Sequence, residues 1–120
     1  MILVDTSVWV DHLHHGDEAV AALLDQGSVI MHPFILGELA CGSLRNRDET
    51  LRTLAALPRA AVATDDEALV MIERSRLMGR GLGYIDVHLI ASALIGGDVI
   101  WSRDKSLDLA ARELKVRTRY

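Results

Sequence analysis

Apolar positions along this chain switch between two spacings, and each switch marks an element. Residues 1–4 form an unbroken apolar run, Asp5, Thr6 and Ser7 interrupt it, and Val8, Trp9 and Leu13 resume at helical spacing. A short run without polar alternation predicts a strand covered on both faces, as in a parallel sheet. Asp5 then stands at its carboxyl end, where open α/β sheets bind ligands. Thr6 or Ser7 can cap a helix to about His14, broken by Gly16. Residues 17–26 read as a second helix on Ala19, Val20, Leu23 and Leu24, stopped by Gly27. Residues 28–31 read as a second strand. Pro33 suits the first turn of a third helix carrying Phe34, Ile35, Glu38, Leu39 and Cys41.

The alternation continues to the end. Residues 48–57 predict an amphipathic helix closed by Pro58, and residues 60–63 a weak third strand. Thr64 and Glu67 have the spacing of a capping box and open a helix carrying Leu69, Val70, Ile72 and Leu77. Gly79, Gly81 and Gly83 form a flexible break before a strongly apolar helix over residues 84–95, ended by Gly96 and Gly97. Residues 98–101 predict a fourth strand. Asp104 caps a last helix to about Leu114, and residues 116–118 predict a weak edge strand. Strands alternating with helices imply an α/β fold, a mostly parallel sheet covered on both sides. No repeat, low-complexity tract or linker divides the 120 residues, so a single domain over 1–120 is expected.

Composition narrows the chemistry. The apolar runs are too short to span a bilayer, and no basic segment precedes a signal-like stretch, so a cytoplasmic protein is expected. The single Cys41 excludes an internal disulfide and a cysteine-rich zinc site, and its simplest role is that of a small buried hydrophobe. A net charge of −4 argues against a general nucleic-acid coat but not against an enzyme that concentrates its acids in one place. His12, His14 and His15 do not have zinc-ligand spacing. No phosphate-binding G-x-x-x-x-G-K-[ST] loop exists, and the glycines at 79–83 do not follow a strand.

Three acids have unusual neighbours. Glu38 shares its helix face with Phe34, Ile35, Cys41 and Gly42, and Asp86 shares its face with Leu82, Gly83, Leu89 and Ile90. Asp5 ends a strand expected to be covered on both sides. A carboxylate facing a core costs several kcal/mol unless paired, and no Lys or Arg stands at these helical spacings. Each acid also has a plainer role: Asp5 and Asp104 as helix caps, Asp86 as a partner of the helix dipole, Glu38 as the partner of a distant arginine. Taken as a set, two acids at strand exits and two on apolar helix faces suggest a shared divalent cation, which prefers oxygen ligands.

The opening MILVDTSVWVDHL resembles that of PIN-domain proteins, specifically VapC-type toxins of toxin–antitoxin pairs. PFILGELACG around Glu38, GLGYIDVHLIASAL around Asp86 and VIWSRDKSLDLAA around Asp104 agree in order and nearly span the chain. Where the family has threonine two residues before the last acid, this chain has Ser102. The resemblance implies a three-layer fold with a central parallel sheet in the order 3-2-1-4-5. It implies an endoribonuclease dependent on Mg²⁺ or Mn²⁺, with Asp5, Glu38, Asp86 and Asp104 as the catalytic acids. Asp5 and Asp86 would bind metal directly, Glu38 and Asp104 directly or through water, and Thr6 and Ser102 would orient waters or a carboxylate by hydrogen bonding. Arg103 and Lys105, flanking Asp104, are candidates for phosphate contact. A cognate antitoxin would dock in a groove at Trp9, Leu13 and Leu39, and the chain would form a homodimer. Two other readings are a receiver-like phospho-acceptor domain and a catalytically silent metal- or RNA-binding module.

Overall fold

The structure is a computed structural model that describes residues 1–118. Its elements run β1 (Ile2–Val4), α1 (Thr6–His15), α2 (Glu18–Asp25), β2 (Val29–Ile30), α3 (Pro33–Ala40), α4 (Arg47–Ala55), α5 (Asp65–Ser75), α6 (Tyr84–Gly96), β3 (Val99–Trp101) and α7 (Lys105–Glu113). The three strands are parallel in the order β2-β1-β3, with Ile2 opposite both Val29 and Val99. Leu3 and Val4 are fully buried, as a central strand covered by helices requires.

The two outer strands expected from the sequence are not formed as strands. Each is a single parallel bridge, Met31 to Arg59 on one edge and Ile100 to Arg117 on the other. The bridged segments extend the parallel sheet at both edges in the implied order 3-2-1-4-5, but as single bridges and not as strands. The physical reason is visible in residues 58–63, where Pro58 lacks an N–H and three alanines offer little side chain to pack on a pleated surface.

Helix limits follow local chemistry. Thr64 and Glu67 form a complete capping box at the start of α5. The helix ends at Arg76, which takes a left-handed conformation (φ 52°), so Leu77 lies beyond it. In α6 the residues from Val87 to Ala93 are all buried, the signature of a helix apolar all round. Cys41, expected inside, is exposed at the end of α3, where the helix runs out to the surface.

Candidate active site

The carboxyl edge of the sheet gathers the acids. Asp5 leaves β1 directly into α1, and its backbone N–H donates to the Trp101 carbonyl of β3 (2.9 Å), which fixes the two strand exits side by side. Asp5 occupies the N-cap position of α1 but makes no side-chain cap bond. Its Oδ2 instead accepts from Ser102 Oγ at 2.7 Å and from Ser7 Oγ at 2.9 Å. Each serine accepts in turn from the backbone after β3: Ser102 Oγ from the Asp104 N–H and Ser7 Oγ from the Arg103 N–H, both at 3.0 Å. One hydroxyl proton per serine is thus committed to Asp5.

The other acids are held by donors of the same neutral kind. Glu38 Oε1 accepts from Thr6 Oγ1 at 2.9 Å, not from an arginine. Asp86 Oδ2 accepts from the Gly83 N–H at 2.9 Å. Asp104 caps α7, its Oδ1 accepting from the Leu107 N–H at 3.0 Å. Among the described residues, none of the four pairs with Lys, Arg or His. Each keeps one oxygen (Asp5 Oδ1, Glu38 Oε2, Asp86 Oδ1, Asp104 Oδ2) with no protein donor among those residues.

Burial is graded rather than uniform. Asp5 is 7 % exposed and Asp86 half-buried, whereas Glu38 and Asp104 are exposed. The apolar-face argument therefore holds for Asp86 and is corrected for Glu38, whose neighbours Phe34, Cys41 and Gly42 are themselves exposed. The Asp86 carboxyl is raised above the ordinary aspartate value. Burial is the main cause, the Gly83 N–H opposes it, and the charges of Asp5, Asp104 and Glu38 add to it. Asp5, Asp104 and Glu38 therefore lie within electrostatic reach of Asp86. Among the described residues the four acids do not form a preassembled ligating group of three or more. An all-oxygen donor set with one open oxygen per acid suits a hard divalent ion.

Arg103 and Lys105 differ. The Arg103 guanidinium binds Asp11 and, at 2.7 Å, Asp17, and lies over the Trp101 ring at 5.7 Å. The guanidinium expected to face phosphate is thus occupied by two aspartates. Lys105, exposed in the first turn of α7, makes no ion pair among the described residues. Trp9 and Leu39 are core residues, 1 % and 2 % exposed, while Leu13 is half-buried. Leu13 and Leu39 line a groove of about 160 Å³ with Val10, Leu44 and Glu38. Trp9 and Leu13 line a second, of about 330 Å³, with Leu24 and Leu54.

Ser7 is the residue that sequence reasoning missed. It was read only as a helix cap, yet the succession of a buried acid and two hydroxyl residues was itself the signal.

The chain also matches known proteins along nearly its whole length. A PIN domain family model matches residues 2–113. The chain is 47 % identical over 117 residues to Ribonuclease VapC32 of Mycobacterium tuberculosis, strain CDC 1551 / Oshkosh, covering 97 % of this chain and 94 % of that protein. The same figures hold for Ribonuclease VapC32 of strain ATCC 25618 / H37Rv. An aspartate-ended central strand, acids at the carboxyl edge and a matched family pattern over nearly the whole chain lead to one conclusion: this protein belongs to the PIN-domain family, in its VapC branch.

Proposed function

We propose that this chain is a divalent-cation-dependent endoribonuclease, the toxin of a toxin–antitoxin pair, built as one PIN domain over residues 1–120. The observation that carries the reading is a set of four acids, three of them within electrostatic reach of Asp86, each held by a neutral donor and none paired with a cation among the described residues. The ribonuclease name of its 47 % identical relatives supports the same chemistry.

Asp5 and Asp86 would hold Mg²⁺ or Mn²⁺ directly, with Glu38 and Asp104 direct or through water. When bound, such an ion lowers the pKa of water and offsets charge on a phosphodiester under attack. The chain's own residues do the positioning. Ser7 and Ser102 fix Asp5 through one oxygen, Thr6 fixes Glu38, and the Gly83 N–H fixes Asp86. Lys105 supplies the phosphate contact. Attack by water, not by the ribose 2′-hydroxyl, leaves 5′-phosphate ends on the RNA.

Glu38 forms one wall of the groove containing Leu13 and Leu39, so an antitoxin segment seated there would block the acid site. Residues Val70, Leu94 and Ile95 expose an apolar face along α5 and α6, a surface suited to a homodimer. No described helix is long and apolar enough to cross a membrane, and we place the protein in the cytoplasm with its RNA substrate.

The test is the sequencing of RNA ends after brief induction of the wild type beside Asp5→Asn, with the purified proteins assayed in Mg²⁺ and in chelator. New 5′-phosphate ends from the wild type alone are expected. Equal cleavage by Asp5→Asn, or cleavage indifferent to chelator, overturns the assignment. Manganese binding without any cleavage favours the silent module.

A further inference from the structure

Beside the acids, the same edge of the sheet carries a second constellation. The bridge from Met31 to Arg59 brings the chain leading into α5 next to β2. The amino termini of α5 and α3 thus meet at the carboxyl edge, one strand away from Asp5. Because α6 leads into the parallel strand β3, its amino terminus returns to that edge as well. Three aromatic rings converge there. Tyr84 stacks edge-on against His88 (4.6 Å between centroids, 90°), and Phe34 meets the same imidazole at 5.0 Å and 72°.

The arrangement is buried beneath and open above. His88 is 2 % exposed, whereas Phe34 and Tyr84 are 37 % and 46 % exposed. Asp65 ties the rim by accepting from the Tyr84 hydroxyl at 2.8 Å and contacting His88 Nε2 at 3.2 Å. Both exposed rings are linked to the acid site through the chain. Phe34 lies one helical turn from Glu38 on the same face of α3, and Tyr84 follows Gly83, whose N–H holds Asp86.

We infer that Phe34 and Tyr84, fixed on His88, form a stacking platform for an unpaired nucleobase flanking the scissile phosphate. Exposed aromatic faces held in place take any base at little ordering cost. Asp65, whose side chain is 80 % exposed at the rim, repels backbone phosphate, so the base and not the sugar–phosphate strand meets the rings. The inference rests on the ribonuclease reading and names how its substrate is gripped.

The experiment uses single-stranded oligoribonucleotides carrying 2-aminopurine at successive positions around the cut. Binding is followed without metal by anisotropy and by 2-aminopurine fluorescence, and cleavage is followed with Mg²⁺. The wild type is expected to quench the probe at one position next to the cut. Phe34→Leu and Tyr84→Leu should each lose that quenching and weaken binding about five- to tenfold, with KM rising and kcat changed little. Tyr84→Phe, which keeps the ring, should retain both. An abasic ribose at the quenched position should weaken the wild type but not Phe34→Leu. Wild-type affinity and quenching in folded Leu variants, checked by circular dichroism, would overturn the platform while cleavage persists. A wild type that neither cuts nor binds RNA overturns the ribonuclease reading and the platform with it.

Discussion

Asp5 and His32 follow neighbouring parallel strands, β1 and β2, at the same edge of the sheet, and both are buried. Their surroundings are built on opposite terms. His32 is satisfied as a neutral ring: Nδ1 accepts from the Phe34 N–H at 3.0 Å, capping α3, so the proton resides on Nε2, which donates to Ser92 Oγ at 3.1 Å. Asp5 receives two hydroxyls on one oxygen, no cationic side chain among the described residues, and a nearby acid, Asp86, whose carboxyl is pushed up by burial first and by the surrounding acids second. The histidine corner is complete as it stands. On the function proposed above, the acid corner is completed by a bound cation, whereas the histidine corner serves stability alone.

The largest effects should fall on the acid corner, and on activity. Asp5→Asn and Asp86→Asn are expected to cut RNA cleavage by about a thousandfold, the several kcal/mol that a bound cation contributes to the transition state. Asp86→Asn should at the same time raise the melting temperature of metal-free protein, because it removes a half-buried charge facing three others. Saturating Mg²⁺ should stabilise the wild type more than the variant. A variant less stable than wild type in chelator would show that the acids do not repel one another.

At the histidine corner the effect should be on stability alone. His32→Ala removes a cap and a buried hydrogen bond and leaves a cavity, a loss of about 2–4 kcal/mol in denaturant melts. The pH dependence distinguishes the corners further. Burial, with the charge of neighbouring His88, pushes His32 from 6.5 down to about 4. The unfolded chain therefore binds more protons between those values, and stability falls as pH drops from about 6.5 to about 4, by on the order of 3 kcal/mol. Asp86 works the other way without metal. Its folded carboxyl is raised, so its penalty is absent below the ordinary aspartate value and grows as pH rises through the raised one. Urea melts across pH 4–7 in chelator should give a steeper slope for Asp86→Asn and a flatter one for His32→Ala than for wild type.

Ser7 tests how finely the acid corner is held. Ser7→Ala removes one of two donors to Asp5 Oδ2 and the acceptor of the Arg103 N–H. Loss of such an outer hydrogen bond to a ligand typically costs about 10–100-fold in metal affinity or activity. The loss should appear as a raised Mg²⁺ requirement that Ser7→Thr restores, with the melting temperature nearly unchanged.

What could be read beforehand follows the physics of each signal. The buried strand ending in Asp5, the capping box at Thr64 and the all-round apolar α6 are local patterns, and each appears as expected. Asp86 could be singled out because a carboxylate on an apolar helix face without a cation at helical spacing is anomalous in one dimension, and its burial keeps it so in three. The edge strands were overcalled because strand propensity reflects packing against neighbours, which residues 60–63 and 116–118 have on one side at most. Glu38 and Cys41 were placed inward because α3 is apolar on several faces, so its period cannot say which face looks in. His32 and Ser7 acquire partners 60 and 95 residues away, and no local pattern carries that.

The smallest expected effect decides between two cations one residue apart from Asp104. Arg103 is engaged by Asp11 and Asp17, a fastening of the loop after β3 to α1 and to the start of α2. Asp17 is held below its ordinary value, first by the Val20 N–H and then by Arg103. Because these pairs are largely exposed, Arg103→Ala should cost no more than about 1 kcal/mol of stability. A side chain that neutralises a phosphate adds about one to the slope of log affinity against log salt. Oligoribonucleotide binding measured from low to high salt should thus lose about one from that slope in Lys105→Ala and keep it in Arg103→Ala. The reverse pattern would mean that Arg103 leaves its two aspartates for the RNA.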